Sequence, residues 1–406
     1  MTTVADAPPS TRSRRLSRPV AFAAIAAIFV TFSAASAAPS PLYVVYQHLW
    51  SFSATTLTAV FAVYVVGLIG SLLILGALSD HIGRRPVLAA AIGLEAVSLV
   101  LFLTAGDVGV LLAARLLQGI ATGAAMTTLG AALVDLNPPH APGRAGLING
   151  LAPVAGLAVG ALGTGVLVQY APSPTHFIWA LLLAGMVLAG IVVARIPETS
   201  ARRPGAAASL APKLGVPARL RGDLLALVPI IVASWAIGGL YLSLGPSVAA
   251  GVFGIGSHLV GGLVVTLLCG TGALSSFLLR NVPTKRVLLL AGSLLTVGAA
   301  VSVTGLELGS ALLAAIGTVI SGVGFGASSL ASFGTLAVLA APHERGELFA
   351  VALVIAYVAF SVPAVIAGFA ATSAGLHDTA LVYGLVVAVL GAAALIAQQM
   401  RKRVTA

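Results

Sequence analysis

Twelve long apolar stretches, separated by short polar ones, limit what this 406-residue chain can fold into. Crossing the ~30 Å hydrocarbon core of a bilayer takes a helix of about 20 apolar residues. Lipid offers no hydrogen-bonding partner to a bare peptide group, so each stretch must bond internally as a helix. The predicted spans are residues 20–38, 54–78, 87–105, 108–134, 145–168, 177–194, 223–249, 257–279, 287–304, 309–340, 347–370 and 378–398. The sequence therefore predicts an all-α membrane protein with twelve transmembrane helices.

The composition is that of a surface bathed in lipid rather than in water. Hydrophobic residues make up 59% of the chain and charged residues only 8%, with a mean hydropathy of +1.09. About a quarter of a soluble domain is charged, so this chain has too few charges to cover a water-facing surface. The single cysteine, Cys269, excludes a disulfide framework. No H-E-x-x-H motif occurs and the seven His lie in loops or at span ends, so we predict no enzyme, no metal site and no bound cofactor.

Positive charge lies almost entirely on one side of the predicted membrane. An even number of crossings puts both termini on that side, and Arg115 is the one cation inside a span. Cytoplasmic loops carry an excess of Lys and Arg, so this side is predicted to be the cytoplasmic face of an inner or plasma membrane. The net charge of +10 thus indicates topology and attraction to the lipid bilayer rather than binding of nucleic acid. The other twenty cations are Arg12, Arg14, Arg15, Arg18, Arg84, Arg85, Arg144, Arg195, Arg202, Arg203, Lys213, Arg219, Arg221, Arg280, Lys285, Arg286, Arg345, Arg401, Lys402 and Arg403.

The second half of the chain repeats the first at a shift of 201 residues. The segment that begins at Asp80 corresponds to the one that begins at Asn281, and Arg144 corresponds to Arg345. Repeated six-helix halves are typical of transporters whose binding site lies between the halves. The predicted parts are a cytoplasmic tail at 1–19, a six-helix half at 20–194, a cytoplasmic central loop at 195–222, a second six-helix half at 223–398 and a cytoplasmic tail at 399–406.

The N-terminal stretch has a second interpretation. Its basic start, the apolar Ala21–Val30 and the small residues Ser33–Ala38 also fit a cleavable signal peptide. The repeat argues against that interpretation, because the span at 20–38 corresponds to the span at 223–249 and its removal would leave the second half unmatched.

A charged motif joins the second and third predicted spans, in Gly76-x-Leu78-Ser79-Asp80-x-x-Gly83-Arg84-Arg85. With the twelve spans, the central loop and the degenerate second copy, it resembles the signature of the major facilitator superfamily. The similarity covers essentially the whole chain. It implies the fold of that family, with two pseudo-symmetric halves of six helices each.

The resemblance also implies a role for this motif. In the family its acidic residue lies beside the N-terminus of a helix in the other half, so Asp80 is expected at the start of the eleventh span, where the helix dipole favours a carboxylate. Gly83 permits a tight turn, and Arg84 or Arg85 is expected to pair with Asp135. The cluster would be a latch that joins the halves on the cytoplasmic face when the protein opens outward. In the plainer alternative, both arginines only fix the orientation of the protein in the membrane, and Asp80 caps a local helix. The second-half copy of the latch consists of Asn281, Lys285, Arg286 and Arg345.

Two ionisable residues lie deep in predicted spans, Glu95 in the third and Arg115 in the fourth. A charge there costs about 2.5–3.5 kcal/mol on insertion scales, so each residue is a functional candidate by default. Arg115-x-x-Gln118-Gly119 resembles the fourth-helix motif of the family's proton-coupled antiporters. The two charges differ in depth by about four residues, or about 6 Å along a helix. Glu95 is then either a proton carrier influenced by Arg115 or its static ion partner.

Single polar or aromatic residues in spans that line the central cavity of this family are candidates for substrate contact. Pro153, in the glycine-rich stretch Gly150–Gly165, is expected to kink the fifth span. Proton antiporters of the family tend to carry a Gly-Pro pair here, whereas this chain has Ala152 before the proline. The substrate candidates are Ser36, Gln118, Asn149, Trp235, Tyr241 and Tyr357.

These features together predict a monomeric secondary active transporter that works by alternating access. Its energy source is expected to be the proton gradient, and its small-molecule substrate an apolar or drug-like compound that is exported. The alternative is a facilitator or importer of a small neutral metabolite with the same fold, in which Glu95 and Arg115 are structural. A receptor or scaffold would not need two repeated halves with a charged latch.

Overall fold

The computed structural model describes residues 15–141, 143–212, 214–341 and 344–404, and most of them lie in helices. Three short 3₁₀ turns, Ala208–Leu210, Ala218–Leu220 and Leu279–Asn281, lie in or beside loops. The α-helices of the described ranges are α1 (Arg18–Ala37), α2 (Pro39–Trp50), α3 (Ala54–Leu75), α4 (Leu78–Ile82), α5 (Arg84–Leu103), α6 (Val108–Asp135), α7 (Arg144–Tyr170), α8 (Phe177–Arg195), α9 (Arg221–Ser243), α10 (Gly245–Gly251), α11 (His258–Leu278), α12 (Thr284–Glu307), α13 (Ala311–Leu339), α14 (Arg345–Ala374) and α15 (Leu376–Val404).

The described helices form twelve spans that are long and apolar enough to cross a membrane. The helices α1 and α2 together form the first span, Arg18–Trp50, and α9 forms most of the seventh. This confirms the predicted fold class, an all-α membrane protein with twelve transmembrane helices. Because twelve is even, both ends of the described chain lie on one side, termed here the terminal side. The opposite side is termed the distal side, the first half is α1–α8 and the second half is α9–α15.

The first span extends well beyond its predicted end. The sequence predicts an end at residue 38, but a helix resumes at Pro39 and continues to Trp50. A proline in the first turn of a helix costs little, because the amide it lacks would have no helical partner there. Pro39 therefore marks a break between α1 and α2 rather than the end of the span. The seventh span has a similar break, since α9 ends at Ser243 and Pro246 lies in the first turn of α10.

Helices within each half pack closely through small residues. In the first half α1 packs against α7, and α6 lies between α3 and α5; in the second half α12 packs against α13 and α15. Small residues let membrane helices approach closely, and this packing replaces the hydrophobic driving force that lipid removes. At Gly123 of α6 a Cβ would lie 2.5 Å from the Leu68 carbonyl oxygen on α3. A glycine is therefore required at that crossing.

The two halves meet along two helix pairs, α3 with α14 and α7 with α11. At the distal ends the hydroxyl oxygens of Thr55 and Thr372 are 3.0 Å apart. Nearer mid-span Thr266 Oγ1 donates to the Ala158 carbonyl at 3.1 Å. Further cross-half hydrogen bonds join Ser40 to Leu242, Gln47 to Ser247, Gln169 to Ser257 and His258, and Thr55 to Gly368. Among the described residues no hydrogen bond joins the halves on the terminal side. Because the cross-half hydrogen bonds lie at mid-span and on the distal side, this conformation is closed on the distal side.

Two other sequence features have a defined place in the fold. Pro153 lies inside α7, which continues as one helix from Arg144 to Tyr170, and the predicted kink at this proline stays a prediction. The described cations outside the spans lie on the terminal side, at helix ends or in loops. Arg12, Arg14 and Lys213 lie outside the described residues.

Candidate functional site

An ion-pair cluster occupies the terminal side of the first half, where the charged motif folds. Asp80 lies in the short helix α4, and α5 begins at Arg84. The Arg84 guanidinium lies 2.6 Å from Asp80 Oδ1 and 3.1 Å from Asp135 Oδ2. It also donates to Ser79 Oγ at 2.6 Å, while Asp135 accepts from the Thr199 hydroxyl at 2.9 Å. Of the two arginines predicted as partners of Asp135, the structure thus selects the first.

Glu198 caps the N-terminus of α5. Its carboxylate accepts hydrogen bonds from the backbone amides of Arg84 at 2.8 Å and Arg85 at 3.2 Å. The first amides of a helix lack helical partners and carry partial positive charge, so a carboxylate is favoured there. Gly83 makes this approach possible, because its φ of +112° is open essentially to glycine alone. A Cβ at Gly83 would also lie only 2.6 Å from Glu198 Oε2.

The same hydrogen bonds set the acidity of Glu198, which lies outside the spans. Burial of the carboxyl opposes its ionisation, but four backbone amides donate to it and outweigh that effect. The pKa of Glu198 therefore lies below its ordinary value of 4.5. The charged carboxylate holds the segment after α8 against the start of α5. The donating amides are those of Ser200, Arg84, Arg85 and Thr199.

The expected contact between Asp80 and the other half is not formed in this conformation. Asp80 pairs with Arg84 of its own half, and its side chain is 48% exposed. The helix α14, beside which the resemblance places this carboxylate, begins at Arg345, whose guanidinium donates to the Ala340 carbonyl at 3.2 Å. A latch on the terminal side is disengaged when the distal side is closed, so its closure stays a prediction.

Arg85 binds the end of α8 rather than Asp135, and most residues of the second copy of the motif form no side-chain hydrogen bond or ion pair among the described residues. Arg85 donates to the carbonyl oxygens of Val193 at 3.2 Å and Ala194 at 2.6 Å, at the end of α8, and does not pair with Asp135. The second half is tied on this side by an ion pair between Arg219 and Glu344, which the sequence did not suggest. Within the part of the chain that the structure describes, no side-chain hydrogen bond or ion pair is formed by Asn281, Lys285 and Arg286.

Three polar side chains, termed here the polar chain, run through the first half in full isolation from solvent. Glu95 of α5 and Gln118 of α6 are 0% exposed, and Arg115 of α6 is 1% exposed. Gln118 Nε2 donates to Glu95 Oε1 at 3.1 Å, and Arg115 Nη1 donates to Gln118 Oε1 at 2.5 Å. A direct Glu95–Arg115 ion pair, one of the two alternatives, is not formed in this conformation, because the Gln118 amide lies between the two charges.

The polar chain is anchored to the break in the first span. Pro39 has no amide hydrogen, so the Ala35 carbonyl four residues earlier lacks its helical partner. Gln118 Nε2 donates to this carbonyl at 3.0 Å, and Arg115 Nη1 donates to the next one, that of Ser36, at 3.2 Å. Both N–H donors and the oxygen of Gln118 are thus engaged.

Tyr64 of α3 connects the polar chain to the interface between the halves. The Arg115 guanidinium lies over its ring, 4.1 Å from the centroid, and its hydroxyl donates to Ser36 Oγ at 3.0 Å. A cation over an aromatic face is attracted by the negative charge of that face. Tyr64 also belongs to an apolar cluster that contains Phe360 of the second half. The polar chain therefore reaches the interface through one side chain.

Three of the predicted substrate residues lie within the first half. Gln118 and Ser36 are buried and engaged with their neighbours in this conformation, so their predicted contact with substrate stays a prediction. Asn149 of α7 donates to the Gly130 carbonyl at 3.2 Å, and its Oδ1 is buried without a partner. Sequence spacing could not distinguish a polar residue that is bonded within its own half from one that is free to contact substrate, because spacing gives the depth of a residue but not its neighbours.

The aromatic candidates divide between two places. Trp235 and Tyr357 pack edge to face at the interface, with ring centroids 4.9 Å apart. Phe360 packs on Trp235 at 5.9 Å and on Phe61 of the first half at 5.0 Å, so this uncharged aromatic group joins the halves. Tyr241 instead lines a cavity within the second half, and its predicted contact with substrate stays a prediction.

Two residues of the site were missed by sequence reasoning. Glu198 follows α8 in Arg195-Ile-Pro197-Glu198-Thr199, which resembles an ordinary helix stop, although a lone carboxylate among many cations was an available signal. Tyr64 carried no signal in the sequence. Among the described residues no group of three His, Cys, Asp or Glu side chains could hold a metal ion.

Comparison with known proteins places this architecture in a family. The sequence profile of the Major Facilitator Superfamily matches residues 20–364. Among curated proteins, the MFS-type transporter paaT of Penicillium rubens is 30% identical over 142 residues, which make up 35% of this chain. The match spans only about a quarter of that relative's length, at 26%.

Solved structures share the fold over nearly the whole chain. A bacterial homolog of the human lysosomal transporter Spinster, in an inward-facing and occupied conformation, has a TM-score of 0.75 at 13% identity, covering 94% of this chain and 97% of that chain. The nucleoside transporter NupG has a TM-score of 0.70 at 12% identity, covering 94% of this chain and 100% of that chain. Likeness at such low identity supports the fold alone. Since the family profile covers most of the sequence and twelve apolar helices are in place, the chain belongs to the Major Facilitator Superfamily and is a multi-pass membrane transporter.

Proposed function

We propose that this chain is a proton-coupled secondary active transporter that exports a small, apolar or drug-like compound by alternating access. The observation that carries the proposal is the polar chain of Glu95, Gln118 and Arg115, which is shielded from solvent and bonded to the break in the first span. It resembles the motif of the family's proton antiporters in Arg115 and Gln118. The proton gradient supplies the energy, and no cofactor takes part.

Glu95 is the proton carrier in this proposal. Its Oε1 accepts from Gln118 while its Oε2 is buried without a partner, so a proton added at Oε2 would break no existing hydrogen bond. Arg115 does not depend on Glu95 for compensation of its charge. Its guanidinium donates to Gln118 and to the Ser36 carbonyl and lies over the Tyr64 ring. None of these contacts involves Glu95 itself, which argues against a static ion pair.

A change of charge on Glu95 acts on the first span through Gln118. An ionised carboxylate holds the donor amide more strongly than a neutral one. The same amide nitrogen also donates to the Ala35 carbonyl that Pro39 leaves free. We therefore assign the break between α1 and α2 as the element that has two conformations. Protonation of Glu95 shifts the equilibrium between them, because a ligand, here the proton, shifts such an equilibrium only when it interacts differently with the two conformations.

The interface favours an uncharged substrate. Among the described side chains, Glu95 and Arg115 are the charged residues that are fully buried, and both are engaged in the polar chain. An aromatic pair, Phe61 and Phe360, joins the halves, and Trp235 and Tyr357 of the second half pack beside it. Burial of an ion without a partner is costly, whereas burial of apolar area is favourable. A sugar phosphate or dicarboxylate would therefore bind poorly, and an apolar compound well.

We also assign the terminal side to the cytoplasm of an inner or plasma membrane, because the cations lie there. In this orientation the distally closed conformation opens toward the cytoplasm, where an exported compound is collected. The transporter acts as a monomer in the lipid bilayer. In the opposite conformation Asp80 closes the terminal side against the N-terminus of α14.

The substrate is identified by growth of cells with and without the gene on a panel of toxic compounds, repeated with a proton uncoupler. The purified protein is then reconstituted in proteoliposomes with that compound. Glu95→Gln should lose accumulation driven by a proton gradient but keep substrate counterflow, which needs no proton. Glu307→Gln is the matched control, because Glu307 is exposed at the end of α12 and should leave coupling unchanged.

Proton-driven accumulation at the wild-type rate in Glu95→Gln would overturn the role of Glu95.

The alternative function is a facilitator or importer of a small neutral metabolite, in which the polar chain is structural. The full engagement of Gln118 favours this alternative. It predicts that transport by the wild type does not respond to an imposed pH gradient, and that Glu95→Gln lowers stability instead.

A further inference from the structure

A cavity of about 160 Å³ lies inside the second half, away from the interface. It is bounded by α10 and by the distal ends of α9, α11, α12, α13 and α15, and Val260, Leu306 and Ala380 are among the residues that line it. Its wall is apolar apart from hydroxyl groups, and no charged side chain lines it. The cavity, termed here the second-half cavity, shares no residue with the polar chain, and the proposed export mechanism does not use it.

In the first half, large aromatic side chains occupy the corresponding place. At the 201-residue shift Trp179 corresponds to Ala380 and Phe102 to Val303, and both of these smaller residues line the cavity. Trp179 and Phe102 stack with ring centroids 4.2 Å apart and are 0% and 1% exposed. The Trp179 indole N–H donates to the Tyr46 hydroxyl at 3.0 Å. The second half thus carries a methyl and an isopropyl group where the first carries an indole and a phenyl ring, which leaves a ring-sized space.

The hydroxyls of the cavity wall are oriented by their neighbours. Thr318 Oγ1 donates to the Ala314 carbonyl at 2.8 Å, so its proton is committed. In the 2.8 Å hydrogen bond between Tyr241 Oη and Thr318 Oγ1, the tyrosine is therefore the donor. The Tyr241 oxygen keeps a lone pair for a ligand, because the other hydroxyl near it, that of Ser302 at 3.5 Å, can donate to only one. The cavity thus offers a hydrogen-bond acceptor in apolar surroundings.

We propose that the second-half cavity is a binding site for an uncharged one-ring phenol. Its volume is close to that of an apolar cavity of about 150 Å³ that binds benzene. The ring of the ligand takes the place that Trp179 fills in the first half, and its hydroxyl donates to the Tyr241 oxygen. An ionised ligand is excluded, because no charged side chain lines the wall to pair with it.

The test uses ¹⁹F NMR of the full chain in lipid nanodiscs with two probes of equal shape, 4-fluorophenol and 4-fluorotoluene. Empty nanodiscs supply the signal from partition into lipid, which is subtracted. The wild type should show saturable binding of one 4-fluorophenol per chain. Its preference over 4-fluorotoluene should lie between about twofold and tenfold, the range of one net hydrogen bond. Absence of a saturable signal would overturn the proposal.

Variants separate the two parts of the proposed site. Ala380→Trp restores the first-half residue and should abolish binding of both probes, with Val303→Phe as a second filling variant if the first does not fold. Tyr241→Phe keeps the ring and should remove the preference for the phenol while both probes still bind. Val389→Trp, on the same helix but 67% exposed, is the control and should leave binding unchanged. Binding that survives both filling variants, or a preference that survives Tyr241→Phe, would place the probe elsewhere.

Discussion

Replacement of Gly83 by alanine perturbs the turn that brings Glu198 to the N-terminus of α5. Gly83 has φ +112° and ψ 153°, a conformation open essentially to glycine, and a side chain there costs about 1–3 kcal/mol. The added Cβ would lie 2.6 Å from Glu198 Oε2, so the carboxylate must move and its hydrogen bonds to the α5 amides must lengthen. Loss of a helix cap costs about 0.5–2 kcal/mol. We therefore expect Gly83→Ala to destabilise the protein by about 2–4 kcal/mol.

Thermal unfolding of the detergent-solubilised protein, followed by tryptophan fluorescence, measures this loss. Gly143→Ala is the matched control, because Gly143 also has a positive φ, +89°, but a Cβ there meets nothing within 4 Å. Gly83→Ala should lower the unfolding midpoint more than Gly143→Ala does. The difference should shrink in a Glu198→Gln background, where the cap is already weakened. Equal losses for the two glycine variants would refute the assignment of Glu198 as the cap.

Two further predictions concern pH and the closed distal side. The lowered pKa of Glu198 means that its stabilisation is present above pH 4.5 and is lost as pH falls through the lower folded-state value. The advantage of the wild type over Glu198→Gln in unfolding midpoint should therefore disappear in acid, and an advantage independent of pH would contradict this. Thr55→Cys with Thr372→Cys, in a Cys269→Ala background, should form a disulfide on oxidation, because the two hydroxyl oxygens are 3.0 Å apart. The cross-linked protein should not transport substrate until the disulfide is reduced. Either single-cysteine variant is the control, and its transport should be insensitive to oxidant. Transport by the cross-linked form would show that the distal side need not open.

The spans could be predicted because the requirement for internal hydrogen bonds in lipid acts on each helix separately. The end of the first span could not, because Pro39 is compatible both with a helix stop and with the first turn of a new helix. What extends the helix to Trp50 is the packing of α2 on α7, α10 and α11, which are distant in sequence. Local rules therefore predicted the number of spans better than their ends.

The candidate site was predictable in its charges and less so in its partners. Pairing of Arg84 with Asp135 follows from opposite charge at neighbouring helix ends. The cap by Glu198 depends on the return of the chain after α8, which is 114 residues away from the turn. The spacing of Arg115 and Gln118 by three residues puts both on one helix face and was an available signal for a bridge to Glu95. The depth of Glu95 in the membrane does not give the rotation of α5 about its axis, and this rotation decides which side chain Glu95 contacts.

The hydroxyl contacts that close the distal side also bear on how readily the transporter switches. Such contacts between membrane helices average about 0.6 kcal/mol each, so the six between Thr55–Thr372 at the rim and Thr266–Ala158 at mid-span amount to roughly 4 kcal/mol. No ion pair must be separated there among the described residues. Movement of one elementary charge through 100 mV is worth about 2.3 kcal/mol. A single ion that moves down an ordinary electrochemical gradient therefore supplies more than half of the work needed to break the contacts that close the distal side.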